Sequence, residues 1–320
     1  MQAAQDPAAT LARLGITVLE RGWLSSNNVV FGGDLPEARG EPAIVDTGYV
    51  AHAAQTLALV QRTLGGRRLA RIVNTHLHSD HCGGNAALVA AHGCPVAVPA
   101  ASFDAVRAWD AERLTFQSTD QRCDPFPAHH ALHPGDEIEL GGRSWQVLAT
   151  PGHDPEAVVF FEPRERVLIA GDALWRDRLA IIFPELVGEQ GFGAAREALA
   201  TIEALDPALV IPGHGAPFTD AAAAIAGARS RLDFFEAEPR RHFGYATRAL
   251  AMFHMLEHQR RERADFEAWM LEAPILAHAR RLAYPDADEA RAAVHGAVER
   301  LLADGALRVE GEVLVVAAAG

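Results

Sequence analysis

Between Thr75 and His81 the chain reads Thr-His-Leu-His-Ser-Asp-His, so four potential metal ligands, His76, His78, Asp80 and His81, fall within six residues. Residues 69–74 are largely apolar and predict a buried strand, while residues 83–90, opening Gly-Gly-Asn, predict the entry to a helix. The ligands therefore sit on a strand-to-helix turn. While the chain is extended, residues two apart share a face, so His76 and His78 point the same way. As it turns into the helix, Asp80 and His81 swing round to a second point. Imidazole nitrogen suits zinc, iron and similar metals, and a carboxylate adds a harder oxygen. The spacing predicts two metal positions a few ångströms apart.

Three later pieces repeat one design. Thr150-Pro151-Gly152-His153, Ala170-Gly171-Asp172-Ala173 and Ile211-Pro212-Gly213-His214-Gly215 each follow an apolar run. Each predicts a buried strand ending in a glycine turn that presents one ligand. Asp46, in Ile44-Val45-Asp46-Thr47-Gly48, ends another such strand.

In order and spacing, these motifs resemble the metallo-β-lactamase superfamily over about residues 15–235. The resemblance implies that His76, His78 and His153 hold one metal ion, that Asp80, His81 and His214 hold a second, and that Asp172 bridges both. It implies two divalent ions, zinc by default with iron or manganese as alternatives. Asp46 would accept a hydrogen bond from the far nitrogen of a histidine ligand. The implied reaction is hydrolysis: the ions acidify a shared water and supply hydroxide near neutral pH. Asp80 would orient it, and no nucleophilic side chain is needed. The implied fold is α+β, an αββα sandwich with the site at one edge.

The turn at residues 75–85 and the isolated His153, Asp172 and His214 look closest to the glyoxalase II-like branch, which splits thioesters, esters or lactones. That branch grips glutathione with lysines, and all 29 basic residues here are arginine. Residues 174–192, directly after Asp172, form a candidate pocket wall, with Trp175, Arg176 and Phe183 as substrate contacts and Arg176 or Arg178 for an anionic group.

At 320 residues, the chain is long enough for one large or two moderate domains. Residues 13–238 carry the motifs. Residues 247–318 predict three helices and a two-stranded wing, resembling a winged-helix domain as in β-lactamase-like protein 2, a single-strand RNA endonuclease. That makes an endoribonuclease or phosphodiesterase the alternative to a small-molecule hydrolase. Charge argues against nucleic acid: from Arg240 onward 11 Arg face 12 Asp or Glu, a net of −1, within a chain of −13. The cluster Arg260-Arg261-Glu262-Arg263 reads as the solvated face of a helix. Phe253, Met255, Leu256, Phe266, Trp269, Met270 and Leu271 are more apolar surface than such a small domain buries alone, which suggests docking on the sandwich or on a second subunit.

The start lacks a basic-then-apolar pattern, and no run approaches the ~18–20 apolar residues of a membrane span, so neither a signal peptide nor a span is expected. Cys82, Cys94 and Cys123 are odd in number and form no C-x-x-C pair, which fits a cytoplasmic protein. Cys82 neighbours His81 and so points away from it, behind the site. Residues 1–12 are expected to be loose, and residues 109–131 to be an insertion near the mouth of the site.

Overall fold

Most strands of the two large sheets are apolar on both faces, and the two faces feed different cores. The computed structural model describes residues 6–317. β1 (Ile16–Leu19), β2 (Asn28–Phe31), β3 (Ala43–Val45), β4 (Arg71–Val73), β5 (Val96–Pro99) and β6 (His130–Leu132) form a six-stranded sheet in that order. Its first two pairings are antiparallel and the rest parallel. β7 (Glu137–Leu140), β8 (Arg143–Ala149), β9 (Val158–Glu162), β10 (Val167–Gly171) and β11 (Leu209–Pro212) form the second sheet, again in chain order. Only β10 and β11 run parallel there.

Strand side chains alternate, so Val29, Phe31, Val45 and Val73 point between the sheets, where they meet Trp145, Val147, Phe160 and Ile169. Phe31 and Trp145 lie edge to face at 5.6 Å. Removing a ring of that size from a packed core costs about 3–5 kcal/mol. Val30, Ile44, Ile72 and Val96 point the other way, against Val60 and Leu64 at the end of helix Ala53–Thr63 and Leu88 of helix Asn85–His92. On the far side Val159, Leu168 and Val210 pack against helices Phe192–Leu205 and Ala221–Glu236. This is the αββα order. Ligand-bearing turns leave β4, β8, β10 and β11 at their carboxyl ends, with His76, His153, Asp172 and His214 within four residues of the strand.

After the sandwich come helix Pro239–His258, β12 (Arg260–Glu262), helices Arg263–Glu272, Pro274–Ala283 and Ala287–Ala303, then β13 (Leu307–Glu310) and β14 (Val313–Val316). The strands form a small sheet in the order β12-β14-β13. Its core of Phe266, Met270, Leu276, Val298 and Leu314 also takes in Ile181 and Leu186 from the loop after Asp172, so this region docks on the sandwich.

Several expectations change. Residues 7–14 form a helix capped by the Asp6 side chain, where a loose segment was expected; residues 1–5 lie outside the described residues. Arg260–Glu262 is a strand, held by pairing with β14, where a helical charge run was expected. Residue 247, the expected boundary, falls inside helix Pro239–His258, which starts at a proline tolerated in a first turn. Residue 318 lies outside the described residues. Among the described residues, no helix is long and apolar enough to cross a membrane.

The 109–131 segment is anchored by Phe116 and Phe126 in the outer core and ends in β6. Its residues 120–123 then reach alternately to two places. Asp120 accepts from Trp269 Nε1 (2.7 Å), and Gln121 accepts from the Ser79 hydroxyl. Arg122 pairs with Glu257, which also accepts from the Tyr49 hydroxyl (2.7 Å), and Cys123 Sγ stands 3.7 Å from Cys82 Sγ. Two of these contacts reach the C-terminal region and two reach the short helix Ser79–Cys82 of the metal turn.

Candidate metal centre

β4 ends at Val73, and the turn beyond it is fixed before any ligand is placed. Asn74 Nδ2 donates to the His81 carbonyl (3.1 Å), which also accepts from Thr47 N (2.7 Å). Asn85 Nδ2 closes the loop onto Asn74 Oδ1 (2.8 Å). A side chain at Gly84 would strike the Thr47 carbonyl at 2.4 Å, so the turn closes only on glycine. His78 caps the short helix with extended backbone, and Asp80 and His81 ride on that helix.

All seven candidate ligands converge. His76, His78 and His153 form one group, with His78 Nδ1 3.1 Å from His76 Nε2 and 2.8 Å from His153 Nε2. Asp80, His81 and His214 form another, with His214 Nε2 3.0 Å from Asp80 Oδ2. Asp172 lies between the groups: Oδ1 is 3.3 Å from His81 Nε2, and Oδ2 is 3.5 Å from His153 Nε2 and 3.9 Å from His214 Nε2. Nitrogens about 2.1 Å from one ion at a tetrahedral angle stand about 3.4 Å apart. The observed spacings bracket that figure, and the nitrogen and oxygen donors suit a dinuclear divalent site. A side chain at Gly213 would meet Asp172 Oδ1 at 2.1 Å, so glycine there is what lets the carboxylate in.

Electrostatics prepares the donors. Burial holds His78 and His153 down at about 4 and pushes His76 well below its ordinary value, with the neighbouring histidines adding to the effect. Their lone pairs are free at neutral pH. Burial pushes Asp80 and Asp172 up, but His81 and His214 outweigh it and keep both carboxyls below their usual range. His81 is buried, yet Asp172, Asp46 and Asp80 together raise it well above an ordinary histidine.

Asp46 lies behind this group. It is buried in the left-handed region (φ 56°), where Oδ2 accepts from His81 Nδ1 (2.7 Å) and Thr75 Oγ1 (2.7 Å) and Oδ1 accepts from Thr75 N (2.9 Å). His153 Nδ1 donates to the Ile181 carbonyl (2.6 Å). Cys82 is buried outside the ligand groups, facing the carbonyls of Leu77 and His78.

Of the expected substrate contacts, Trp175 and Phe183 reach the centre and Arg176 does not. Trp175 Nε1 donates to Asp172 Oδ1 (3.1 Å), and the Phe183 ring lies 4.6 Å from that of His78. Arg176 is exposed and lines a separate cavity. Two residues escaped sequence reasoning. Trp23 stacks on His214 at 5.2 Å while 48% exposed. Asp154 Oδ2 stands 3.7 Å from His78 Nε2. The only signal for Trp23 was an aromatic residue in the polar run between β1 and β2, and for Asp154 a second acid directly after His153.

Comparison with known proteins follows the same lines. The family model of the metallo-beta-lactamase superfamily matches residues 21–214, more than half of the chain. Among curated relatives, a hydroxyacylglutathione hydrolase of Methylococcus capsulatus is 32% identical over 135 residues, covering 42% of this chain and 45% of that protein. One of Acidiphilium cryptum is 34% identical over 176 residues, covering 55% and 60%. The chain thus spans about half the length of these relatives. A solved beta-lactamase domain protein from Burkholderia ambifaria shares the fold at TM-score 0.57 and 20% identity, over 95% of this chain and 93% of that one.

Proposed function

The chain belongs to the metallo-beta-lactamase superfamily, and on that premise we infer that it is a metal-dependent hydrolase that cleaves a small-molecule thioester, ester or lactone with two zinc ions. The observation that carries this reading is the convergence of seven donors with Asp172 between two groups of three. His76, His78 and His153 would hold one ion, and Asp80, His81 and His214 the other. When bound, the pair supplies Lewis acidity toward the scissile carbonyl and acidifies a water. Asp80 orients the attacking water. Asp46 accepts from His81 Nδ1 and so turns Nε2 toward Asp172, and the Ile181 carbonyl accepts from His153 Nδ1 and leaves its Nε2 free to ligate. Phe183 and Trp23 wall the centre on opposite histidines and keep bulk water from the acyl group.

A thioester heads the class because the curated relatives are named hydroxyacylglutathione hydrolases. Cleavage of RNA is less well supported. In the C-terminal region Arg260 pairs with Glu310, and Arg263 with Glu267 and Glu299, in a stretch whose net charge from Arg240 onward is −1. The test is native mass spectrometry beside a panel of thioesters, an aryl ester, a lactone, bis-p-nitrophenyl phosphate, nitrocefin and a short RNA. Two ions per chain and turnover of the thioesters are expected. One ion after reconstitution with excess metal would end the dinuclear reading, and turnover of RNA alone would move the activity to phosphodiesters.

A further inference from the structure

One side-chain layer from the metal centre lies an open cavity of about 520 Å³. Its walls are the loop after Asp172, with Arg176 and Arg178, and helix Ala221–Glu236, with Arg231. That helix turns a strip of Ala223, Ala224, Gly227 and Ala228 toward the space, and the small side chains leave it open. None of the three arginines has a carboxylate within 4.0 Å among the described residues. Arg231 instead donates to the Asp177 carbonyl (3.2 Å), which fixes the loop. Asp220 in the wall is already engaged, accepting from Ala223 N (3.1 Å) at the start of the helix.

The cavity is wired to the cluster. Arg178 lies over the Trp23 ring at 5.1 Å, and Trp23 stacks on His214. Trp175, next in the chain to Arg176, donates to Asp172. In a chain with net charge −13, Arg176, Arg178 and Arg231 outnumber the two carboxylates that also line the opening, Asp177 and Asp220, and leave it net positive beside the reacting centre.

Resting on the hydrolase reading above, we propose that this cavity seats a phosphate group carried on the leaving-group side of the substrate, with the acyl carbonyl at the metal centre. The substrate is then an acyl thioester whose thiol ends in a phosphate ester. A phosphate monoester brings about −1.5 to −2 charges and three acceptor oxygens, which matches three guanidinium groups better than a single carboxylate does. The cavity is also large enough for a group bigger than a carboxylate.

The test uses the metal-loaded full chain and three acetyl thioesters: of pantetheine, of pantetheine 4′-phosphate, and of a thiol of similar length ending in carboxylate. The phosphorylated ester should show a KM about tenfold or more below that of the neutral one, with similar kcat and a preference that shrinks in high salt. Arg176→Gln and Arg231→Gln should each pull the KM ratio toward one, with Lys restoring part of it. Arg62→Gln, an equal charge change on a distant exposed helix position, should leave the ratio as it was. Equal KM for the neutral and phosphorylated esters would overturn the proposal, as would a preference for the carboxylate. Calorimetry with free pantetheine and its 4′-phosphate separates the two readings. Phosphate-dependent binding without turnover would keep the cavity and remove the thioester. Turnover without phosphate preference would do the reverse.

Discussion

Two histidine clusters in this molecule look alike in composition and differ in geometry. At the metal turn the rings meet edge to edge, their nitrogens 2.8 and 3.1 Å apart and aimed at shared points between buried carboxylates. In the C-terminal region His254 is stacked face to face, 4.1 Å from His258 and 3.8 Å from Trp269. There the nitrogens diverge: His254 Nε2 accepts from Arg261 (2.9 Å), and His258 Nδ1 donates to the His254 carbonyl (2.9 Å). Stacked faces with satisfied edges hold a fold together. Converging edges without other partners repel one another until something positive sits between them.

The largest expected effect falls on the carboxylate that joins the two ligand groups. Asp172→Ala should lower kcat/KM by about three orders of magnitude or more and reduce bound metal below two ions per chain in native mass spectrometry. Activity within tenfold of wild type would mean that the two groups do not act as one centre.

Proton uptake distinguishes the regions next. His242 is buried between Phe192 and Phe235, accepts from Ile182 N (3.1 Å), and is held down at about 4 by burial. Unfolding returns it to about 6.5, so the unfolded chain binds the extra proton. Its contribution to stability is therefore complete above pH 6.5 and is lost as the pH drops toward 4, by about 3 kcal/mol at the limit. Urea titrations across that window measure it, and His242→Gln should lower the slope by that share, leaving the part due to the other buried histidines. An unchanged slope in the variant would clear His242 of the effect.

Smaller again is the expected cost of disturbing what holds a ligand. Asp46→Asn should lose about 10–100-fold in metal affinity or activity, measured by competition with a chelator. A variant indistinguishable from wild type would show that the His81 ring is held by packing alone.

The smallest effect belongs to the stacked cluster. His254→Leu keeps most of the packing volume and should change kcat by less than about threefold, with a stability loss of about 1–2 kcal/mol from the broken Arg261 contact. Loss of metal on this change would erase the distinction between edge-on and face-on histidines.

The candidate ligands were legible because four fall within six residues after one apolar strand and His153, Asp172 and His214 each end another at a glycine turn, a local pattern. His76 and His78 share a face by strand geometry. What stayed hidden depends on partners far along the chain. Arg260–Glu262 reads as a helical charge run and becomes a strand only because β14 lies beside it. His130–Leu132 is too short and too polar to announce an edge strand. Arg176 and Trp23 show the same limit: one follows a ligand closely and points elsewhere, and the other is remote in sequence and stacks on His214.

Residues 120–123 also constrain the order of folding. Their partners lie 41, 42, 135 and 149 positions away, and the Tyr49–Glu257 bond beside them closes over 208. Contacts of such separation are entropically costly to close and tend to form late. The outer support of the metal turn should therefore be among the last parts to assemble, after the sandwich and the C-terminal helices have met. A thiol-labelling pulse during refolding can time it: Cys82 should gain protection only in the slowest phase, and protection in the first milliseconds would contradict this order.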